Sequence, residues 1–202
     1  MMILRSTAAS PFVRKVRIAI KLLGLDDKIE VRETDLNDPA DTIRRQNPLG
    51  KIPALLLDDG TVLFDSRVIL EYLDHLAGGG KIVPREPKAR FEALRMQALC
   101  DGVMDASLLI VYEGRYRPQD KQVPSWLERQ AEKVKRGLEA LEAAPPKLTA
   151  MPDVGQIALA CALGYRDLRF AGDDWRKAYP RLREWLEKFA AQVPAYAATK
   201  PA

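Results

Sequence analysis

Two hydroxyl residues in this chain of 202 residues stand where a helix is expected to begin. Ser10 precedes Pro11, and Ser66 follows Asp65. Serine and aspartate are favoured helix N-caps, and proline is favoured at the first helical position. The free N–H groups and the dipole of a helix N-terminus favour an anion, so Ser66 is a candidate for holding a carboxylate. A plain pair of capping residues is the alternative for Asp65 and Ser66.

A third candidate region is the turn from Asn47 to Pro53, which leads into a compact apolar strand. Lys51 in this turn can pair with a carboxylate, or it is an ordinary exposed loop lysine. Pro53 stands at the expected start of the strand, where a trans proline is tolerated without any special role. A cis bond between Ile52 and Pro53 is the alternative, because cis bonds are almost confined to X–Pro pairs.

Composition excludes several classes of protein. Hydrophobic residues make up 47% and charged residues 30%, as expected of a packed soluble chain. The net charge is +4, but basic and acidic residues alternate, which is typical of solvated helix faces and not of a nucleic-acid surface. No apolar run reaches the roughly 20 residues of a membrane span, and none suggests a signal peptide, so we expect a cytoplasmic protein.

Cysteine and histidine usage predicts no metal site. The chain has one histidine and two cysteines, without a Cys-x-x-Cys pair. Cys100 and Cys161 lie in apolar, helix-like segments, and we expect both to be buried free thiols.

Elements that would position these candidates can be assigned from periodicity and breakers. The order β-α-β-α-β-β-α predicts a mixed sheet with covering helices. The expected elements are a strand at 2–6, a helix from Pro11 to Gly24, a strand at 29–33, a short irregular helix at 38–45, a hairpin with strands at 54–57 and 61–64, and a helix from Ser66 to Gly78.

The remaining sequence predicts helices alone. They are expected at 89–112, at 126–143, from Asp153 and from Pro180, after a glycine- and proline-rich linker. The predicted domains are therefore 1–78 and 89–202, joined by the linker 79–88. Asp153 at the N-cap and Gln156 three residues later are expected to cap each other's backbone N–H groups in a capping box.

Four segments resemble the glutathione S-transferase superfamily, in matching order and spacing over essentially the whole chain. They are residues 10–16, 47–53, 64–73 and 153–160. The resemblance is to bacterial, serine-type cytosolic members, beta- or zeta-like. It implies an α/β plus all-α fold: a thioredoxin-like domain with a mixed four-stranded sheet, followed by an all-helical domain. It also implies a homodimer with glutathione as co-substrate and no other cofactor. The alternating charges and the lack of a long apolar run argue separately against a nucleic-acid partner and a membrane partner.

The resemblance assigns a glutathione contact to each candidate. Ser66 at the helix N-terminus would hold the γ-glutamyl carboxylate, and Asp65 would accept a hydrogen bond from the ammonium group. Lys51 would pair with the glycyl carboxylate. A cis bond between Ile52 and Pro53 would leave the Ile52 N–H and C=O to pair with the cysteinyl part of glutathione, as an added strand pairs with a sheet edge.

Ser10 is the candidate for chemistry under the same resemblance. A cysteine thiol has a pKa of about 8.5, so a hydroxyl donor and helix N–H groups are needed to stabilise its thiolate at neutral pH. Ser10 would supply that hydroxyl, with Ser6 and Thr7 as nearby alternatives, or it is simply an N-cap. The first 99 residues hold no cysteine, which argues against exchange through an enzyme thiol.

The expected electrophile pocket is made of Phe12, Met104, Leu108 and Tyr112. The last three follow one face of a helix, and a core stripe is the alternative interpretation. The function expected is conjugation of glutathione to a small apolar electrophile, or its reduction by glutathione. Two alternatives are a non-catalytic binding or interaction protein and a glutathione-dependent isomerase or dehalogenase, because a fold does not determine an activity.

Overall fold

The computed structural model describes residues 1–201 and divides into two compact units. Unit 1 consists of Met1–Arg90 together with residues 193–201, and unit 2 consists of Phe91–Gln192.

Unit 1 contains a mixed four-stranded sheet, as predicted. Its strands are β1 (Met2–Ser6), β2 (Ile29–Glu33), β3 (Ala54–Leu56) and β4 (Val62–Leu63), in the spatial order β2-β1-β3-β4. β1 is parallel to β2 and antiparallel to β3, and β3 is antiparallel to β4. β2 lies at the edge of the sheet, where Ile29 is buried but Val31 is 46% exposed. Only the first residue of this edge strand is therefore buried.

Three helices connect these strands: α1 (Pro11–Leu22), α2 (Ile43–Gln46) and α3 (Ser66–Leu76). α1 packs against α3. One face of α1 is apolar and buried, with Val13, Val16 and Ile20 each at most 3% exposed.

The short helix predicted at 38–45 forms only as α2, which begins at Ile43. Side-chain hydrogen bonds explain the difference. The Asp41 carboxylate accepts the backbone N–H groups of Asp35 and Ile43 at 3.1 and 2.7 Å, and local bonds of this kind compete with helix formation. Nη2 of the buried Arg5 also donates to both carboxylate oxygens of Asp41, at 2.7 and 2.9 Å.

The turn after α3 is organised by a buried carboxylate. Asp74, 5% exposed, accepts the backbone N–H groups of Gly80, Lys81 and Ile82 at 2.7–2.8 Å. The predicted linker thus begins with a turn that is fixed by hydrogen bonds.

Among the described residues of unit 2, helices are the only regular secondary structure. Its helices are α4 (Pro87–Tyr116, within unit 2 from Phe91), α5 (Pro124–Ala143), α6 (Val154–Arg169), α7 (Trp175–Ala178) and α8 (Pro180–Gln192). α6 is the central helix, with every residue from Val154 to Arg166 buried. Cys100 and Cys161 are both buried and are not joined in a disulfide, as predicted.

The start of α6 corrects one detail of the predicted capping box. Asp153 is the N-cap, and its carboxylate accepts the Gln156 N–H at 2.9 Å. The Gln156 side chain does not return the bond to Asp153. Its Nε2 donates to the Lys147 carbonyl at 2.7 Å and its Oε1 accepts from the Thr149 hydroxyl at 2.9 Å. Gln156 therefore anchors the segment before the helix.

The last helix, α9 (Pro194–Ala198), belongs to unit 1 and packs against α1. It follows unit 2 in sequence, so unit 1 is built from two separate stretches of the chain.

Candidate functional site

The strand register of unit 1 brings three loops to one end of the sheet. Arg5 pairs with Ala54, and Leu55 pairs with Leu63. Because these pairings are antiparallel, the end of β1, the beginning of β3 and the end of β4 lie side by side. The N-terminus of α1, the Ile52–Pro53 bond and the N-terminus of α3 all follow directly from these strand ends. The strand register therefore brings five of the candidate residues to the same end of the sheet: Ser10, Ile52, Pro53, Asp65 and Ser66.

Ser10 caps α1 as predicted. Its Oγ accepts the Val13 N–H at 3.3 Å, and its carbonyl accepts the Arg14 N–H at 3.0 Å. A hydroxyl can donate one hydrogen bond while it accepts another, so this cap leaves the Ser10 hydrogen available. Pro11 has no N–H, and the Phe12 N–H has no partner within the helix. Half-buried Ser10 thus presents a donor at a helix N-terminus.

The two alternative hydroxyls differ from Ser10 in their surroundings. Ser6 is the last residue of β1 and is 1% exposed, with its carbonyl accepting the Thr34 N–H at 2.8 Å. Thr7 is half-buried and lies in the loop, where its carbonyl accepts the Ser10 N–H at 3.3 Å. Neither residue lies at the first turn of α1.

Asp65 and Ser66 begin α3. The Asp65 carboxylate is exposed, and its Oδ1 accepts the Arg67 N–H at 2.9 Å. The Ile69 N–H bonds to the Asp65 carbonyl at 3.1 Å, so the N–H groups of Ser66 and Val68 have no partner within the helix. Ser66 is 2% exposed. This end of α3 therefore combines free N–H groups with an exposed carboxylate.

The turn before β3 contains the remaining three candidates. The Ile52–Pro53 peptide bond is cis, which confirms the bond expected from the resemblance. Ile52 is half-buried, Pro53 is buried and Lys51 is exposed. The turn is held by buried Asn47, which sequence reasoning did not single out. Its Nδ2 donates to the Lys51 carbonyl at 2.8 Å, and its Oδ1 accepts the Leu49 N–H at 3.0 Å.

The four expected electrophile-pocket residues lie in different surroundings. Phe12 of unit 1 is half-buried, with the Lys15 Nζ 5.5 Å from its ring centre. On α4 of unit 2, Met104 is fully buried, whereas Leu108 and Tyr112 are half-buried. Burial raises the pKa of the Tyr112 phenol. Met104 thus has the burial of a core residue, and only the later part of the stripe reaches solvent.

Comparisons with known proteins point to the same family in both halves of the chain. Residues 9–76 match the model of the glutathione S-transferase N-terminal domain, and residues 124–188 match that of the C-terminal domain. The Escherichia coli protein named "Uncharacterized GST-like protein YibF" is 35% identical over 196 residues, covering 95% of both chains. The chain belongs to the glutathione S-transferase superfamily.

Solved structures of this superfamily extend the likeness to the whole fold. A glutathione transferase family member from Pseudomonas fluorescens Pf-5, with bound glutathione, is 40% identical, with a TM-score of 0.93 and complete coverage of both chains. A second structure of that protein, with bound S-(propanoic acid)-glutathione, has a TM-score of 0.89 at the same identity and coverage. The sheet and helices described above are therefore the glutathione S-transferase fold.

Two further observations concern the described part of the chain. Among residues 1–201, no group of three or more His, Cys, Asp or Glu side chains could hold a metal ion. Across the same residues, no helix is both long and apolar enough to cross a membrane.

Proposed function

We propose that this superfamily member is a glutathione transferase in which the Ser10 hydroxyl stabilises the glutathione thiolate for attack on a small electrophile. One observation carries the proposal: the register of β1, β3 and β4 places the N-termini of α1 and α3 and the cis Ile52–Pro53 bond at the same end of one sheet. The glutathione bound by the Pseudomonas fluorescens relative supports glutathione as the ligand.

The proposed binding mode gives each end of glutathione an oppositely charged partner. The γ-glutamyl carboxylate bonds to the unpartnered N–H groups at the start of α3, and the ammonium group to the exposed Asp65 carboxylate. The cysteinyl backbone pairs with the N–H and C=O of Ile52, as a short added strand. Exposed Lys51 pairs with the glycyl carboxylate. Charge-assisted bonds at both ends fix the tripeptide in one register.

The proposed chemistry is stabilisation of an anion. The thiolate sulfur accepts hydrogen bonds from the Ser10 hydroxyl and the Phe12 N–H, and the dipole of α1 adds a favourable potential. These interactions lower the pKa of the thiol and raise the fraction of nucleophile at neutral pH. Ser10 is then neither nucleophile nor base. The thioether of glutathione bound by the relative supports space for a group attached to sulfur.

The decisive experiment separates two roles of the Ser10 side chain, stabilising the thiolate and capping α1. Ser10→Gly removes the hydroxyl but costs a capped helix only a few tenths of a kcal/mol, whereas Ser10→Ala costs about 1 kcal/mol. The thiol pKa of bound glutathione is measured from the ultraviolet absorbance of the thiolate, and conjugation from turnover of 1-chloro-2,4-dinitrobenzene. We expect both variants to raise the pKa and to slow turnover, and Ser10→Thr to retain most of the activity.

The same measurements test the alternative that the protein binds glutathione without catalysing its transfer. An unshifted thiol pKa in the wild-type complex would make the chain a glutathione-binding protein without transferase chemistry. A pKa shift that survives undiminished in both Ser10→Gly and Ser10→Ala would remove the Ser10 hydroxyl from the proposal and leave the Phe12 N–H with the helix dipole, or a hydroxyl of Thr7 or Ser6, as the source of the shift.

The proposal includes a cytoplasmic homodimer. Leu49 and Val68 of unit 1 are 66% and 47% exposed, and a dimer interface would cover apolar side chains of this kind. Light scattering measures the molar mass of the purified protein in solution. The mass of a monomer would contradict the proposed dimer.

A further inference from the structure

One buried arginine of unit 1 is committed to hydrogen bonds at every nitrogen of its guanidinium. Arg5 is the fourth residue of β1 and is 4% exposed. Its Nε donates to the Thr34 hydroxyl at 2.9 Å. Its Nη1 donates to Thr42 Oγ1 and to Gln46 Oε1, both at 2.8 Å, and its Nη2 donates to the Asp41 carboxylate. A planar guanidinium bonded on all sides fixes the positions of its partners relative to one another.

The partners of Arg5 all come from one stretch of the chain. The stretch runs from Thr34, which follows β2, to Gln46, the last residue of α2. Among residues 1–201, Arg5 is the only residue outside 34–47 that hydrogen-bonds to residues 35–46. Ile43, which is fully buried, adds an apolar anchor. Arg5 therefore provides the polar attachment of α2 to the sheet.

α2 leads directly into the turn that carries Lys51 and the cis bond. The Asn47 N–H bonds to the Ile43 carbonyl at 2.7 Å, so the turn begins where the helix ends. The Gly50 N–H bonds to the Asn47 carbonyl at 2.8 Å, and the Asn47 side chain holds the Lys51 carbonyl at the same distance. Because these bonds leave the turn little freedom, the direction of α2 sets the direction of the turn.

Arg5 also lies beside the other end of that turn. In the register of β1 and β3, Arg5 pairs with Ala54, the residue that directly follows Pro53. The backbone of Arg5 thus fixes where the turn ends, while its side chain fixes α2, where the turn begins. Residues 47–53 are therefore held at both ends by one residue of the central strand.

The ion pair at the centre of this arrangement stays charged at neutral pH. Hydrogen bonds from the Ile43 and Asp35 N–H groups, together with the nearby charge of Arg5, lower the pKa of the Asp41 carboxyl group. The side chains of Arg5 and Asp41 are 5% and 11% exposed, so water competes little for their bonds. A lysine at this position would keep the charge but lacks the planar fork, so it could not hold all the partners at once.

We propose that Arg5 is a positioning residue for the glycyl end of glutathione: it acts through α2 and Asn47 to place the Lys51 ammonium group, and so makes the protein select glutathione over γ-glutamylcysteine. This inference rests on the proposed binding mode, in which Lys51 pairs with the glycyl carboxylate. γ-Glutamylcysteine is glutathione without its glycine, so it keeps the contacts of the γ-glutamyl group but lacks that carboxylate. The ratio of the two dissociation constants reports the glycyl contact and cancels losses that both peptides share.

Titration calorimetry of the two reduced peptides tests the proposal. We expect the wild type to bind glutathione about tenfold more tightly than γ-glutamylcysteine, which corresponds to one charge-assisted contact. Lys51→Ala should lower this ratio to about one. Arg5→Lys should lower it to about two, because the ammonium group cannot hold α2 in the same place. Gln46→Leu keeps Arg5 and its ion pair but removes the acceptor nearest the turn, and it should lower the ratio to about three.

A double variant and a control separate positioning from general stability. Adding Arg5→Lys to Lys51→Ala should not change the ratio further, because Arg5 acts on it only through Lys51. The control is Asp74→Ala, which removes a buried carboxylate from the turn after α3 and should leave the ratio near ten. Every variant is measured at a temperature at which its thermal unfolding curve shows it to be folded.

The outcomes distinguish this inference from the transferase proposal. A ratio that stays near ten in Arg5→Lys, or an equal fall in the Asp74→Ala control, would show that Arg5 only stabilises the fold. If Arg5→Lys does not fold, the ratio in Gln46→Leu decides in the same way. Equal binding of both peptides by the wild type would refute the Lys51 contact and this inference with it. The expected ratios without a shifted thiol pKa would support the positioning role and refute the transferase.

Discussion

The guanidinium of Arg14 and the ring of Tyr196 are stacked, with the guanidinium carbon 4.0 Å from the ring centre. Arg14 Nη2 also donates to the Tyr196 carbonyl at 2.8 Å, and the Arg14 backbone N–H bonds to the Ser10 carbonyl. Arg14 is 5% exposed although it is charged, because α9 covers it. The last helix is thereby tied to the first turn of α1, which carries the proposed thiolate-stabilising hydroxyl.

Replacing the Tyr196 ring should loosen that tie. Tyr196→Leu removes the cation–π contact and should lower the free energy of unfolding by about 1 kcal/mol. Urea denaturation measures the change. Tyr196→Phe keeps the ring and is the matched control. Equal destabilisation by Leu and Phe would assign the effect to the phenol hydroxyl and not to the stacking.

A methyl group at Gly155 should separate α4 from α6. The added Cβ would lie 2.8 Å from the Ala93 carbonyl oxygen and 2.7 Å from the Met96 Cβ, and backbone cannot yield as a flexible side chain can. We expect Gly155→Ala to lower the free energy of unfolding by about 1–3 kcal/mol, the usual cost of overpacking.

The matched control for that substitution lies on the neighbouring helix. A Cβ atom at Gly102 of α4 would meet nothing within 4 Å. Gly102→Ala should therefore raise stability by about 0.5–1 kcal/mol, since alanine is the better helix former. Thermal denaturation of both variants checks the opposite signs, and a stable Gly155→Ala variant would contradict the close approach.

Loss of the Asp74 carboxylate should destabilise unit 1. Asp74→Ala leaves the N–H groups of Gly80, Lys81 and Ile82 without an acceptor, and we expect a loss of roughly 3 kcal/mol or more. The control is Asp38→Ala, which removes an exposed acceptor of one N–H, that of Ala40. Chemical denaturation measures the free energy of unfolding of both variants. Similar decreases would show that the buried Asp74 carboxylate stabilises the fold no more than the exposed Asp38 carboxylate does.

Asp153 should contribute a pH-dependent part of stability. Burial raises its pKa above the ordinary 3.8, against the opposing hydrogen bonds from Gln156 and Gly155. The folded state therefore holds this proton more tightly than the unfolded state. The contribution is fully present below about pH 3.8 and is lost as the pH rises through the folded pKa.

Asp153→Asn isolates that contribution because asparagine keeps an acceptor for the Gln156 N–H but does not titrate. We expect the stability of wild type relative to Asp153→Asn to increase as the pH falls from neutral toward 3.8. Denaturant midpoints of both proteins across this range measure the difference. A difference that is independent of pH would contradict the raised pKa. Asp153→Ala, which removes the cap, should cost about 1 kcal/mol at neutral pH.

Local signals in the sequence predicted much of the fold. Ser10 before Pro11, Asp65 before Ser66, and Asp153 before an apolar run each mark a helix start, because an N-cap acts on residues within one turn of itself. The helix predicted at 38–45 was wrong for residues 38–42, because the carboxylate of Asp41 bonds to the backbone and to Arg5, which is remote in sequence.

The missed parts of the candidate site depend on tertiary contacts. The proline and the resemblance together pointed to the cis bond at Pro53. Asn47 looked like an ordinary turn residue, and its role depends on where the Lys51 carbonyl falls.

Unit 1 is completed by α9, which is synthesised only after all of unit 2. All of unit 2 is synthesised between Arg90 and Val193, so the sheet and α1 leave the exit tunnel long before α9 exists to cover Arg14. During translation this guanidinium must remain hydrated, and the first turn of α1 lacks its final support. A nascent chain stalled inside unit 2 would leave exposed the surface of α1 that α9 covers in the folded protein, and chaperones would have access to it. A tag fused shortly after Thr199 would have to leave α9 able to pack on that surface.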